Sequence, residues 1–143
     1  MATTDMKIII GLHRMLTDLD RCSAAVVAAH GLTLGQFAVL EALYHKGAMT
    51  VGQVQEKILS SSGTIPLIIR NLEKRSLLKR RMDEQDKRKC ILVLTAAGEE
   101  LIARVYPQNE AALVEKLACL SDVQKAELLA ALQQYDKNSR EGK

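Results

Sequence analysis

The sequence predicts a mainly helical fold of six helices carrying one small antiparallel β-ribbon of two to three strands, and three observations predict it. Aromatic residues make up only 3% of the chain and Trp is absent, while apolar residues reach 48%. The core must therefore rest on Leu, Ile, Val and Ala, which favours helices. Three capping boxes, Thr33 with Gln36, Thr50 with Gln53 and Ser121 with Gln124, mark helix starts. In each, a hydroxyl accepts from an orphan backbone N–H while the Gln three residues on reaches back. Residues 77–82 and 89–94 read as strands.

Taken in order, a long helix is expected over about residues 5–29, with Ile8, Ile9, Leu12, Met15, Leu16 and Leu19 at helical spacing and Gly31 as its stop. The boxes at Thr33 and Thr50 open a second helix over about 34–46 and a short third over 51–58. A serine run then leads into a fourth helix, about 63–75, whose first turn holds Pro66, where its missing N–H forfeits little. Ile65, Ile68, Ile69 and Leu72 form the buried stripe of that helix. Gly63, Pro66, Leu67, Arg70 and Lys74 fall on the opposite face. In the second strand, Cys90, Leu92 and Leu94 share one side and Lys89, Ile91 and Val93 the other. The segment DEQDKR between the strands exceeds a tight turn and should project as a loop. Thr95 can cap a fifth helix over about 96–118, kinked or broken near Pro107, and a sixth should run over about 122–138.

Length and charge narrow the function. A chain of 143 residues suits a single domain, 1–143, with a real core. Its net charge is only +3, yet the window 70–89 holds nine basic side chains against four acids, a local +5 that leaves −2 elsewhere. Such concentration is what a polyanion-binding surface needs, because phosphate contacts release condensed counterions. The apolar runs are too short to span a bilayer, the first residues lack the order of a signal peptide, and the three cysteines form no close pair. A cytoplasmic protein with no membrane partner is expected.

A short helix, a turn, an amphipathic helix with a basic outer face and a ribbon with a basic tip make the layout of a winged helix–turn–helix. A helix fits the major groove of B-DNA, whose base edges carry a distinguishable donor and acceptor pattern. An Arg-tipped loop suits the minor groove, whose negative potential attracts guanidinium. Asp86, two residues before Arg88, can hold that guanidinium in a fixed direction. Ser61, Ser62 and Thr64 lie at the start of the basic helix, a natural phosphate seat. The expected DNA-binding set is Ser61, Ser62, Thr64, Pro66, Leu67, Arg70, Lys74, Arg80, Asp86, Lys87, Arg88 and Lys89.

At GLTLGQFAVLEAL (31–43), LSSSGTIPLIIRNLEKRSLLKRR (59–81) and DEQDKRKCILVLTAAGEEL (83–101) the chain resembles the MarR family of transcriptional regulators, and the similarity runs through roughly residues 8–138. The last stretch is similar to the family's wing signature, Asp-x-Arg at the tip, then an apolar strand and Leu-Thr-x-x-Gly. The resemblance implies a DNA-binding repressor acting on an inverted-repeat operator as an intertwined homodimer. It also implies release from that operator by a small-molecule effector or an oxidant. Segments 5–30 and 96–138 would be its dimerisation helices and 33–94 its DNA-binding lobe. Helix 63–75 would read the major groove while Arg88 entered the minor groove beside Asp86. Two departures stand out: Pro66 replaces a frequent polar Thr, and Ser76 stands where Gly usually ends the helix. Pro66 and Leu67 offer only apolar contact, for instance to thymine methyls, so base-specific hydrogen bonding falls to Arg70 and Thr64.

Other chemistries have thinner support. Cys22 is the candidate redox sensor, although it lies nearer Thr33 than the sensing thiol of the family's hydroperoxide sensors and lacks their Tyr pair. Cys90 reads as an inert core thiol. Glu41 and His45, four apart on one helix, can share an ion, but no Cys/His cluster exists, so neither a metal site nor a cofactor is expected. No nucleophile elbow, P-loop or paired-carboxylate site is present, so the chain reads as no enzyme. The competing class is a winged helix used for protein association, or a thiol- or metal-responsive redox protein.

Overall fold

A computed structural model describes residues 1–58 and 64–142. Helix α1 (Thr4–Ala28) starts where the Thr3 hydroxyl accepts from Met6 N–H at 3.2 Å. It ends in a left-handed residue, Gly31 at φ 73°. There Gly31 N–H donates to the Ala28 carbonyl and Leu32 N–H to the Val27 carbonyl, satisfying two carbonyls of the last turn. Helix α2 (Leu34–Lys46) opens on the Thr33–Gln36 capping box. Strand β1 (Met49–Thr50) and helix α3 (Val51–Ile58) follow, with Thr50 and Gln53 bonded reciprocally. Helix α4 (Ile65–Lys74), strands β2 (Leu78–Met82) and β3 (Cys90–Leu94), and helices α5 (Ala96–Lys116) and α6 (Asp122–Glu141) complete the chain.

The six helices appear as the sequence predicts, and the ribbon, expected to have two to three strands, has three. Its order is β1-β3-β2, antiparallel throughout, with Met49 opposite Leu92 and Arg80 opposite Leu92 from the other side. The pairing fastens the wing to the entrance of α3. Leu40 of α2, Ile65, Ile69 and Leu72 of α4, Leu78, Leu92 and Ile102 are fully buried together. At about 25 cal/mol per Å² of apolar surface, each such side chain contributes roughly 1.5–3 kcal/mol. That core fixes the direction in which α4 points its other face.

Two expectations need correction. Of the kink or break expected near Pro107, the break does not occur: helix α5 runs through it. Pro107 and Ala103, whose carbonyl loses its partner, are both exposed, so water can take the hydrogen bond. On the opposite side Ile102, Val105 and Asn109 are buried and hold the helix in place. Cys90 is half-buried, not part of the core.

The junction between α4, β2 and α5 is unusually constrained. Ser76 adopts φ 60°, with its N–H bonded to the Glu73 carbonyl and Leu77 N–H to the Leu72 carbonyl. This is the helix ending that usually takes Gly. Thr95 Oγ1 donates to the Ser76 carbonyl at 2.6 Å and accepts from Gly98 N–H at 3.0 Å. Thr95 N–H donates to the Leu77 carbonyl at 3.2 Å. A Cβ on Gly98 would overlap that same Leu77 carbonyl oxygen, so only glycine lets α5 start against β2.

Candidate nucleic-acid interface

Helix α4 divides as its sequence demands. Ile65, Ile69 and Leu72 are buried, whereas Pro66, Leu67, Arg70 and Lys74 are exposed, Leu67 at 52%. An exposed Leu beside two cations on a short helix is no contribution to the core. Thr64 stands at the N-cap position without a side-chain capping bond. Ser61, Ser62 and Gly63, also expected at this helix start, lie outside the described residues.

The ribbon is tied to α4 by an ion pair that the sequence did not announce. Arg80 Nε lies 3.2 Å from Glu73 Oε1, with both side chains about two-fifths exposed. Arg80 thus turns toward α4, and the pair's value lies in fixing the wing against the helix more than in stability. Arg81 and Lys79 beside it on β2 are exposed.

At the tip, Asp86 organises the turn as its spacing predicts. Its Oδ1 accepts from Arg88 N–H and from Arg88 Nε–H, each at 3.1 Å, and its carbonyl accepts from Lys89 N–H at 3.0 Å. Asp83 Oδ1 caps the first half of the loop through Gln85 N–H. The bonded Arg88 side chain and N–H, with Lys89 nearby, hold the Asp86 carboxyl below its ordinary pKa. Arg88 is 91% exposed, so its guanidinium is aimed yet unburied. Lys87 and Lys89 flank it, also exposed.

Asn71, not among the residues the sequence singled out, is half-buried on the side of α4 that also carries Leu67 and Lys74. It stands four residues after Leu67 and three before Lys74, so helical spacing makes it their neighbour.

Away from this surface, a cavity of about 310 Å³ lies between α2, α3 and α5, lined by Ala38, Glu41, Ala42, His45, Lys46, Lys57, Ile58 and Tyr106. The His45 and Tyr106 rings meet with centroids 4.6 Å apart. The Lys46 ammonium pushes Lys57 below its ordinary pKa, and Glu110 beside the phenol pushes Tyr106 above its own. His45 is engaged within α2, where its Nδ1 lies 3.3 Å from the Glu41 backbone carbonyl oxygen. The described residues hold no group of three or more His, Cys, Asp or Glu able to share a metal ion. Half-buried Cys22 of α1 and exposed Cys119 line a second cavity with Ala112, Glu115 and Lys116. No described helix is long and apolar enough to cross a membrane.

Known proteins share this arrangement. The sequence profile of the MarR family matches residues 32–90, from the entrance of α2 through β2 and the wing loop to the first residue of β3. The transcriptional regulator MhqR of Bacillus subtilis (strain 168) is 33% identical over 122 residues, 85% of this chain and 84% of its own. Bordetella bronchiseptica BpsR, whose DNA binding is regulated by 6-hydroxynicotinic acid, superimposes with a TM-score of 0.81 at 24% identity, over 91% of this chain and 98% of its own. A mutant MarR from Escherichia coli complexed with operator DNA gives 0.80 at 19% identity, over 94% and 99%. With the capping pattern, wing signature and winged-helix geometry in agreement, the chain belongs to the MarR family of DNA-binding transcriptional regulators.

Proposed function

We propose that this regulator is a repressor that binds an inverted-repeat operator as a homodimer and leaves it when a small molecule binds. The carrying observation is the joined pair of cationic elements: the exposed face of α4 and a wing held to it by Arg80–Glu73, tipped by the oriented Arg88. In this reading α4 enters the major groove with Leu67, Arg70 and Lys74, and Arg88 enters the adjacent minor groove. Thr64, Lys87 and Lys89, with Ser61 and Ser62, serve phosphates; Arg80 keeps the wing in register with the helix.

A second copy is called for by the apolar surface that one chain leaves bare. Ile8, Ile9, Ile10, Leu12 and Leu16 of α1, and Val123, Leu129, Leu132 and Tyr135 of α6, are all exposed. Three consecutive isoleucines point around most of a helical turn, so α1 needs covering on more than one side. Two-fold pairing through these helices would present two α4 helices roughly 34 Å apart, one turn of DNA. The 310 Å³ cavity supports the release step because α5 borders it on one side and the lobe's α2 and α3 on the other. Its aromatic wall and adjacent Lys46 and Lys57 suit a planar anion, and an occupant preferring one lobe position shifts the dimer away from the spacing that fits DNA. A second signal, an oxidant acting at Cys22, is favoured by the cavity Cys22 shares with Cys119.

The test is duplex binding at several salt concentrations, with random DNA and with sites selected from a randomised pool. A steep logarithmic salt slope and an enriched inverted repeat are expected. Arg70→Ala should change which selected sites are preferred; a uniform loss over all sequences would make Arg70 a phosphate contact. Binding that is weak and insensitive to salt would favour a protein-association module.

A further inference from the structure

Asn71 is poorly explained by the fold. Asparagine is one of the weaker helix formers, and its side chain normally serves caps and turns, where it bonds nearby backbone. Here it lies in the last turn of α4, four residues before the C-cap Arg75. Its carbonyl accepts from Arg75 N–H at 3.1 Å, but its side-chain amide has no partner among the described residues. It is half-buried, and helical spacing sets it beside Leu67 and Lys74, with Arg70 next in the chain.

An amide placed there carries the complement of one base edge. Its oxygen accepts from the exocyclic N6–H of adenine while its nitrogen donates to N7, a pair of hydrogen bonds that no other base pair offers in that arrangement. Arg70 matches O6 and N7 of guanine, and Leu67 matches the methyl of thymine, so neither duplicates this readout. Pro66 has no hydrogen-bonding group to contribute. We propose that Asn71 is a specificity residue that reads one adenine in the major groove of each half-site. This rests on α4 being the recognition helix, as argued above.

The experiment uses the full-length protein and sites selected from a random duplex pool. Wild type should enrich a motif with a fixed A·T pair in each half-site, and Asn71→Ala should lose the preference at that pair alone. Replacing the adenine by 7-deazaadenine, which lacks the N7 acceptor, should weaken the wild type by about tenfold and leave Asn71→Ala indifferent. Equal losses in both proteins, or an Asn71→Ala motif that keeps every position, would overturn the assignment. Should the variant fail to fold, the 7-deazaadenine scan on wild type still decides: no sensitive adenine in the motif refutes the proposal. Failure of the underlying reading looks different, because no motif would be enriched at all.

Discussion

Adding one methyl group at Gly98 should damage this protein more than its position at the start of a helix implies. The Cβ would overlap the Leu77 carbonyl oxygen, which is backbone and cannot swing aside. Helix α5 would have to back away from β2, giving up Thr95 N–H to Leu77 and Thr95 Oγ1 to the Ser76 carbonyl. Two hydrogen bonds at about 1 kcal/mol each and an overpacking cost of roughly 1–3 kcal/mol oppose a helix-propensity gain of up to about 1 kcal/mol. The net expectation for Gly98→Ala is a loss of about 2–4 kcal/mol. In a chain of this size that lowers the melting temperature by roughly 5–15 °C. Chemical and thermal unfolding at one fixed protein concentration measure it, since a dimer's stability depends on concentration. A loss below roughly 1 kcal/mol would be an ordinary surface effect and would refute the close approach. The damage should reach DNA binding too, because α5 joins the wing to the rest of the molecule.

The neighbouring Ser76 works in the opposite direction: Ser76→Gly relieves a left-handed residue and should gain about 0.5–1 kcal/mol in the same unfolding assay, whereas a loss would show that the serine side chain holds the turn. Arg88→Ala should weaken operator binding while leaving the oligomer intact, as judged by light scattering. Asp86→Ala should reproduce part of that loss, and in a double-mutant cycle it should cost little once Arg88 is gone; additive losses would mean that Asp86 acts independently. If oxidants signal through Cys22, a hydroperoxide should release DNA from the wild type and not from Cys22→Ser, and equal release from both would end that reading.

Features decided within a few residues of chain were legible in the sequence. The starts of α2 and α3 follow from Thr33–Gln36 and Thr50–Gln53, each a local bond between residues three apart. The outer face of α4 follows from helical spacing, and the aim of Arg88 from an acid two positions away. Features decided by packing were not. Strand β1 is two residues long, too short to show alternation, and exists because β3 offers it a partner. The Arg80–Glu73 pair depends on how the ribbon lies on α4, and the 310 Å³ cavity draws its lining from three separate helices. Pro107 shows a related limit: local chemistry allows a break as well as a kink, and burial on the far side of α5 keeps the helix continuous.

Because β3 is flanked on both sides, β2 leaves one row of backbone amides and carbonyls without a strand beside it. Such rows invite another polypeptide to add on, the first step toward aggregation. Three of the five residues of β2, Lys79, Arg80 and Arg81, are basic. Two copies meeting along this margin would press like charges together at about the 4.8 Å separation of paired strands. The cations suited to nucleic acid therefore also keep the wing from sticking to its own kind, and neutral replacements at Lys79 and Arg81 would threaten solubility as well as affinity.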